Sequence, residues 1–156
     1  MEFYQYIESA KGSMQITANS KGITAVSFID TKLMPERPNE ITLEASRQLT
    51  AYFDKKLQTF DLPLAPKGTA FQQSVWQVLQ QISYGETASY LDIAKAINNP
   101  KGVRAVGMAN GRNPIAIIVP CHRIIGSNKT LTGYAGGLER KQYLLNLEGA
   151  QGVLWQ

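Results

Sequence analysis

The stretch Leu62-Pro63-Leu64-Ala65-Pro66-Lys67-Gly68 does most to limit what this chain can fold into. Two prolines and a glycine so close together halt regular structure. The pattern of apolar residues also changes across them. Ahead of the stretch, short strand-like runs alternate with turns; beyond it, apolar residues recur every three or four positions, as on one face of a helix. A chain of 156 residues divided there makes two small domains, 1–66 and 67–156. The expected fold class is α+β: a small N-terminal antiparallel sheet with a helix, then a mostly helical C-terminal domain containing a helix-turn-helix.

In the first domain, Phe3-Tyr4-Gln5-Tyr6-Ile7 is aromatic and strand-like, and Lys11-Gly12-Ser13 reads as a turn. Met14-Gln15-Ile16-Thr17-Ala18 alternates apolar and polar as a half-buried strand does. Asn19-Ser20-Lys21-Gly22 is a second turn and Ile23 to Ile29 a third strand, which together predict a meander. Asp30 to Asn39 holds two prolines and reads as a loop. A helix is expected from about Glu40 to Lys56, with Ile41, Ala45, Leu49, Tyr52 and Phe53 on one stripe. The polar residues of this half form an ordinary solvated surface.

In the second domain, Thr69 and Gln72 have capping-box spacing ahead of a helix whose inner face is Phe71, Val75, Leu79 and Ile82. Tyr84-Gly85-Glu86 is the turn that ends it. Ser89 and Asp92 repeat the box before a short helix with Leu91, Ile93, Ala94 and Ile97. After Asn98-Asn99-Pro100, a second short helix is predicted from Lys101 to about Asn110. The pair has the outline of a helix-turn-helix. Its second helix carries Arg104 and mainly small residues, whereas helices that read base edges carry several long polar side chains. A plain helical hairpin is the competing reading. Leu138 to Leu147 forms a closing helix after a glycine-rich loop, Gly126 to Gly137, which lacks the Gly-Lys-Ser/Thr ending of a phosphate-binding loop.

The only cysteine and the only histidine stand side by side in Pro120-Cys121-His122-Arg123. The β-branched run Ile115-Ala116-Ile117-Ile118-Val119 leads into them and reads as a buried strand that Pro120 ends. A thiolate nucleophile assisted by imidazole is one reading; a buried inert thiol is the other. Neighbours on an extended segment point to opposite sides, so a bridging water would link Cys121 to His122. The histidine would need an orienting carboxylate, for which this half offers Glu86, Asp92, Glu139 and Glu148. Glu148, at the end of the last helix, is the choice, although spacing alone does not single it out.

Composition limits the class of protein. Hydrophobic residues at 44% and charged residues at 18% are ordinary for a globular chain, and no apolar run is long enough for a membrane span. The N-terminus lacks the features of a signal peptide. A lone cysteine forms no internal disulfide, a lone Cys-His pair does not make a structural zinc site, and a reduced thiol suits the cytoplasm. Residues 1–66 carry seven Lys/Arg and eight Asp/Glu, a balance of −1, while residues 67–156 carry nine and four, a balance of +5. The positive excess beside Cys121 favours a polyanionic partner.

The motif Pro120-Cys121-His122-Arg123, with Asn113-Pro114 before it and Gly133-Tyr134-Ala135-Gly136-Gly137 after it, resembles the O6-alkylguanine-DNA alkyltransferases, or methylated-DNA–protein-cysteine methyltransferases. Gly85-Glu86, Ser89-Tyr90 and Arg104-Ala105-Val106-Gly107 extend the resemblance over Phe71 to Gly149. It implies a repair protein that binds double-stranded DNA, flips out O6-alkylguanine and moves the alkyl group to an active-site Cys121, once and without a cofactor; a monomer is expected, since nothing in the sequence points to an obligate oligomer. It leaves O4-alkylthymine open as a second substrate. It further implies that His122 is the base, acting through a water, that Glu148 orients it, and that Tyr90 assists flipping and gives a proton to the leaving guanine. Arg104 would fill the vacated space in the duplex. Asn113 would brace the turn, and Tyr134, Ala135, Gly136 and Lys141 would line the guanine pocket. Ser89 and Arg123 also fall among the substrate- and DNA-binding positions. Ala135 stands where many relatives have serine, and the first domain has no cysteine for the zinc site some relatives carry. The alternatives are a cysteine hydrolase or acyltransferase built on Cys121, His122 and Glu148, and a non-catalytic DNA-binding protein, whether a regulator or a lesion binder.

Overall fold

The computed structural model describes residues 1–153. It falls into two units, the first from Met1 to Lys67 and the second beginning at Gly68.

The first unit is a meander of β1 (Phe3–Ser9), β2 (Gly12–Ala18) and β3 (Ile23–Ile29), antiparallel throughout, with α1 (Glu40–Phe53) packed across it. Met14, Ile16 and Ala18, alternate residues of the central strand, are completely buried, as are Ala45, Leu49 and Tyr52 of the helix. Strand period thus meets helix period along one seam. The loop before α1 hides a further capping box: Asn39 Oδ1 accepts from the Thr42 amide, and Thr42 Oγ1 accepts from the Asn39 amide. The helix stops at Phe53, earlier than the periodicity suggested, because Lys55 turns into the left-handed region at φ 61°. Part of the proline-rich stretch is ordered against the sheet: Ile23 N–H donates to Pro63 O and Ala65 N–H to Ile23 O, each at 2.8 Å. Gly22 permits that approach, since a Cβ there would lie 2.7 Å from Pro63 O.

The second unit is built from α2 (Ala70–Leu79), β4 (Ala88–Ser89), α3 (Tyr90–Ala96), α4 (Val103–Gly111), β5 (Ile124–Ile125) and α5 (Leu138–Leu147). The boxes Thr69/Gln72 and Ser89/Asp92 both close as their spacing predicted, each stabilising a helix start by about 1 kcal/mol. Helices α2, α3 and α4 pack together, and the Trp76 indole N–H donates to Ala109 O at 2.9 Å. Trp76 is therefore core. The two-residue strands β4 and β5 pair in parallel, with Ala88 opposite Ile124 and Ser89 opposite Ile125. This pairing ties the start of α3 to the segment after the cysteine.

The run Ile115–Val119 is not a strand. Ile115, Ile117, Ile118 and Val119 are buried as expected, but the run forms a tight turn in which Ile118 N–H donates to Ala116 O and Val119 N–H to Ile115 O. Apolar residues without periodicity specify burial rather than conformation. Here a neighbouring side chain supplies the hydrogen bonds that a ladder would otherwise provide.

Candidate active site

That side chain is Asn113. Its Oδ1 accepts from the Ile115 amide at 3.0 Å, and its Nδ2 donates to Val119 O at 2.8 Å and to Ile115 O at 3.3 Å. One amide therefore closes both ends of the turn. At its centre Ile117 sits at φ 72°, a conformation that costs a β-branched residue about 1–3 kcal/mol and persists only where its surroundings hold it. Pro120 follows at φ −82°, ψ 63°, with Cys121 N–H donating to Val119 O, an inverse γ-turn. The chain then makes one 3₁₀ turn, Cys121–Arg123. Cys121 thus sits on tightly folded backbone.

Cys121 is only 6% exposed. Burial pushes its thiol pKa up, and Asn113 and the Lys141 ammonium offset part of that effect. The resting group is a thiol, and nucleophilic chemistry requires a base to take its proton. His122, fully buried, lies 2.7 Å through Nε2 from Glu148 Oε2. Burial lowers the imidazole pKa, and Arg123 and Lys141 lower it further against the pull of Glu148, so the ring is neutral near pH 7. Nε2–H donates to the carboxylate, which leaves Nδ1 as the proton acceptor. Among the described residues, that buried Nδ1 has no hydrogen-bond partner.

Glu148 holds both His122 and Arg123, and its Oε1 also accepts from the Gly85 amide at 3.5 Å. Arg123 Nε donates to Oε1 at 2.8 Å and Nη2 to Oε2 at 3.0 Å, while Nη1 reaches Ile82 O at 2.6 Å. Burial alone would raise the Glu148 pKa, but the hydrogen bonds from His122 and Arg123 outweigh it and hold the pKa at about 2. This corrects the expectation for Arg123. Its side chain is 8% exposed and its fork is occupied by the carboxylate, so it is not presented to a phosphate or a base. Its partner lies 25 residues onward, beyond the reach of any local pattern.

A second network approaches the cysteine from the glycine-rich loop. Lys141 is fully buried, and its Nζ donates to Thr132 O at 3.1 Å and Thr132 Oγ1 at 3.3 Å. The Tyr90 hydroxyl is 2.7 Å from the same Oγ1. Burial brings the Lys141 pKa down to about 8, opposed by Cys121. The Tyr134 hydroxyl is buried without a partner among the described residues, and burial followed by the nearby Cys121 raises its pKa well above 10.

The remaining expected site residues take no part in either network. Ala135 is exposed and Gly136 half-buried, in a turn closed by Gly137 N–H donating to Tyr134 O. Ser89 caps α3, with Oγ accepting from the Asp92 amide at 3.0 Å. Arg104 is exposed on α4, on which Val106 and Ala109 turn inward. Thr132 had not been expected at the site, since no spacing rule links it to Tyr90, 42 residues earlier. No group of three or more His, Cys, Asp or Glu side chains comes together among the described residues.

Residues 70–150 match the family described as 6-O-methylguanine DNA methyltransferase, DNA binding domain, and residues 3–66 match its ribonuclease-like domain. A methylated-DNA–protein-cysteine methyltransferase of Methanosarcina acetivorans is 53% identical over 154 residues, which cover 95% of this chain and 99% of that protein. The constitutive methylated-DNA–protein-cysteine methyltransferase of Bacillus subtilis is 47% identical over 160 residues, covering 95% and 96%. Among solved structures, Mycobacterium tuberculosis O6-methylguanine methyltransferase superposes with a TM-score of 0.86 at 45% identity, over 96% of this chain and 93% of that one. The Mycobacterium tuberculosis protein in complex with DNA gives 0.86 at 44% identity, over 94% and 92%.

Proposed function

The chain belongs to the methylated-DNA–protein-cysteine methyltransferase family, and on that premise we propose that it repairs duplex DNA by moving the alkyl group of O6-alkylguanine to Cys121. The observation that carries this reading is the pairing of a buried thiol with a neutral His122 whose Nε2–H is committed to Glu148. His122 Nδ1 takes the thiol proton through a water. Sulfur then attacks the alkyl carbon as the carbon–O6 bond breaks. The bonding pair passes to the guanine, and Tyr90 gives it a proton. The product is a thioether with no easy leaving group, so each molecule acts once.

The other residues fit supporting roles. Asn113 holds the strained turn that presents Cys121. Tyr134, Ala135, Gly136 and Lys141 border the space in which guanine would sit, and Arg104 enters the duplex where the base has left. Ser89 gives its oxygen to α3, so any contact with a phosphate uses its hydroxyl hydrogen. Residues 67–156 are the DNA-binding and alkyl-acceptor domain and 1–66 the supporting domain. No described helix is long and apolar enough to cross a membrane. A monomer in the cytoplasm, where a lone thiol stays reduced, suits this chemistry.

The test is a duplex carrying one O6-methylguanine, mixed with the protein and with Cys121→Ser. The parent should clear the lesion stoichiometrically, and the variant should bind the duplex and leave the lesion intact. Transfer by Cys121→Ser would overturn the assignment, and repeated turnover would return the site to the hydrolases.

A further inference from the structure

We infer that Thr132 is a positioning residue for alkyl transfer, holding the Tyr90 hydroxyl toward the leaving guanine and linking it to Lys141 as a proton source. The inference rests on the repair reading above. Three hydrogen-bonding groups lie in line. Lys141 Nζ donates to Thr132 Oγ1 at 3.3 Å, with a second bond to Thr132 O at 3.1 Å that fixes the ammonium. The same Oγ1 is 2.7 Å from Tyr90 Oη. An ammonium has only donors, so the Lys141–Thr132 bond has one direction. A hydroxyl that accepts from Lys141 still has its own hydrogen, and donating it to Tyr90 Oη leaves the tyrosine hydrogen available to an acceptor on the base. Without the threonine, the Tyr90 hydroxyl could equally present a lone pair.

The direction of donation also completes the proton balance. When sulfur takes the alkyl carbon, guanine receives the bonding pair and the Tyr90 proton. Thr132 passes its hydrogen to the tyrosinate oxygen and takes one from Lys141, which ends neutral, while the original thiol proton resides on His122. A buried ammonium suits this role because burial already weakens its hold on the proton, to a pKa of about 8. The groups facing Lys141 are Cys121 and His122 from the 3₁₀ turn and Tyr90, through Thr132, from α3. Glu148 stands beyond His122.

The experiment is single-turnover methyl transfer from an O6-methylguanine duplex, measured from pH 6 to 9.5 for the parent, Thr132→Val, Thr132→Ala, Thr132→Ser and Tyr90→Phe. The parent rate should fall on an alkaline limb near pH 8 as Lys141 loses its proton. Thr132→Val and Thr132→Ala should be slower by about tenfold, a fraction of what general acid catalysis supplies. Both should lose the alkaline limb and keep the parent's affinity for the duplex. Thr132→Ser should restore rate and limb together. If either hydroxyl-free variant folds and keeps the parent's rate and pH profile while Tyr90→Phe is slowed, the relay is overturned and the repair reading stands. If the parent itself transfers no methyl group to Cys121, the repair reading fails, and the inference with it.

Discussion

Replacing Glu148 by Gln keeps the size of the side chain but removes the charge that two buried groups share. Glu148 and His122 have no exposed side-chain surface, and Arg123 has 8%. In the parent the carboxylate accepts from His122 Nε2, from Arg123 Nε and Nη2, and from the Gly85 amide at 3.5 Å. In Glu148→Gln one oxygen remains, and the amide NH₂ faces donors. Two routes give the size of the loss. The fall of the Glu148 pKa from 4.5 to about 2 corresponds to about 3 kcal/mol in favour of the ionised form in the folded protein. Leaving a buried guanidinium without its partner costs about 3–5 kcal/mol. A loss of about 3 kcal/mol should lower the melting midpoint by about 6–12 °C in a protein of this size.

The dependence on pH gives this prediction its sign. A carboxyl group whose folded pKa is depressed contributes its full stability above the unfolded value of 4.5 and loses it as pH falls toward about 2. Urea denaturation of the parent and Glu148→Gln at pH 7 and at pH 3 provides the check. The gap between the two proteins should be about 3 kcal/mol at pH 7 and clearly smaller at pH 3. Equal stability at pH 7, or a gap that does not change with acid, would refute the reasoning about the His122–Glu148–Arg123 cluster.

Other outcomes follow from the same geometry. His122 must be neutral to take the thiol proton and its pKa lies below 6.5, so the transfer rate should hold down to pH 6.5 and fall only in more acid solution, measured in single-turnover assays. Arg104→Ala should slow repair of duplex lesions far more than reaction with the free modified base, compared in parallel rate measurements; equal losses would remove Arg104 from the duplex. Asn113→Ala leaves the Ile115 amide and Val119 carbonyl without their side-chain partner. It should cost about 1–3 kcal/mol by urea denaturation and slow transfer as the turn under Cys121 loosens.

Local chemistry was legible in the sequence wherever it was short in range. Thr69/Gln72 and Ser89/Asp92 announced their helices because a cap needs only four residues, and β3 (Ile23–Ile29) and α5 (Leu138–Leu147) ended where their patterns did. Asn39–Thr42 is hard to read from sequence because it lies behind prolines and closes through a threonine rather than a Glu or Gln at its third position. The turn at Ile115–Val119 reads as a strand because β-branched, uncharged runs suit either, and what decides between them is an asparagine two residues upstream. Apart from His122 with Glu148, pairings across the chain carry no signal. Ala88 with Ile124, Arg123 with Glu148 and Tyr90 with Thr132 are each joined by the fold, and two-residue strands or side-chain hydrogen bonds leave no periodicity. Arg123 sits beside the cysteine in the motif and so reads as a binding residue, yet its guanidinium is buried against Glu148.

The central claim is that Cys121 is the acceptor of an alkyl group. Intact-protein mass spectrometry after mixing with a duplex containing one O6-methylguanine tests it most directly. The account predicts a gain of one CH₂ per protein, mapped by peptide fragmentation to Cys121 and ceasing at one equivalent. An unchanged mass alongside a vanished lesion, or a methyl group found on any other residue, would contradict it.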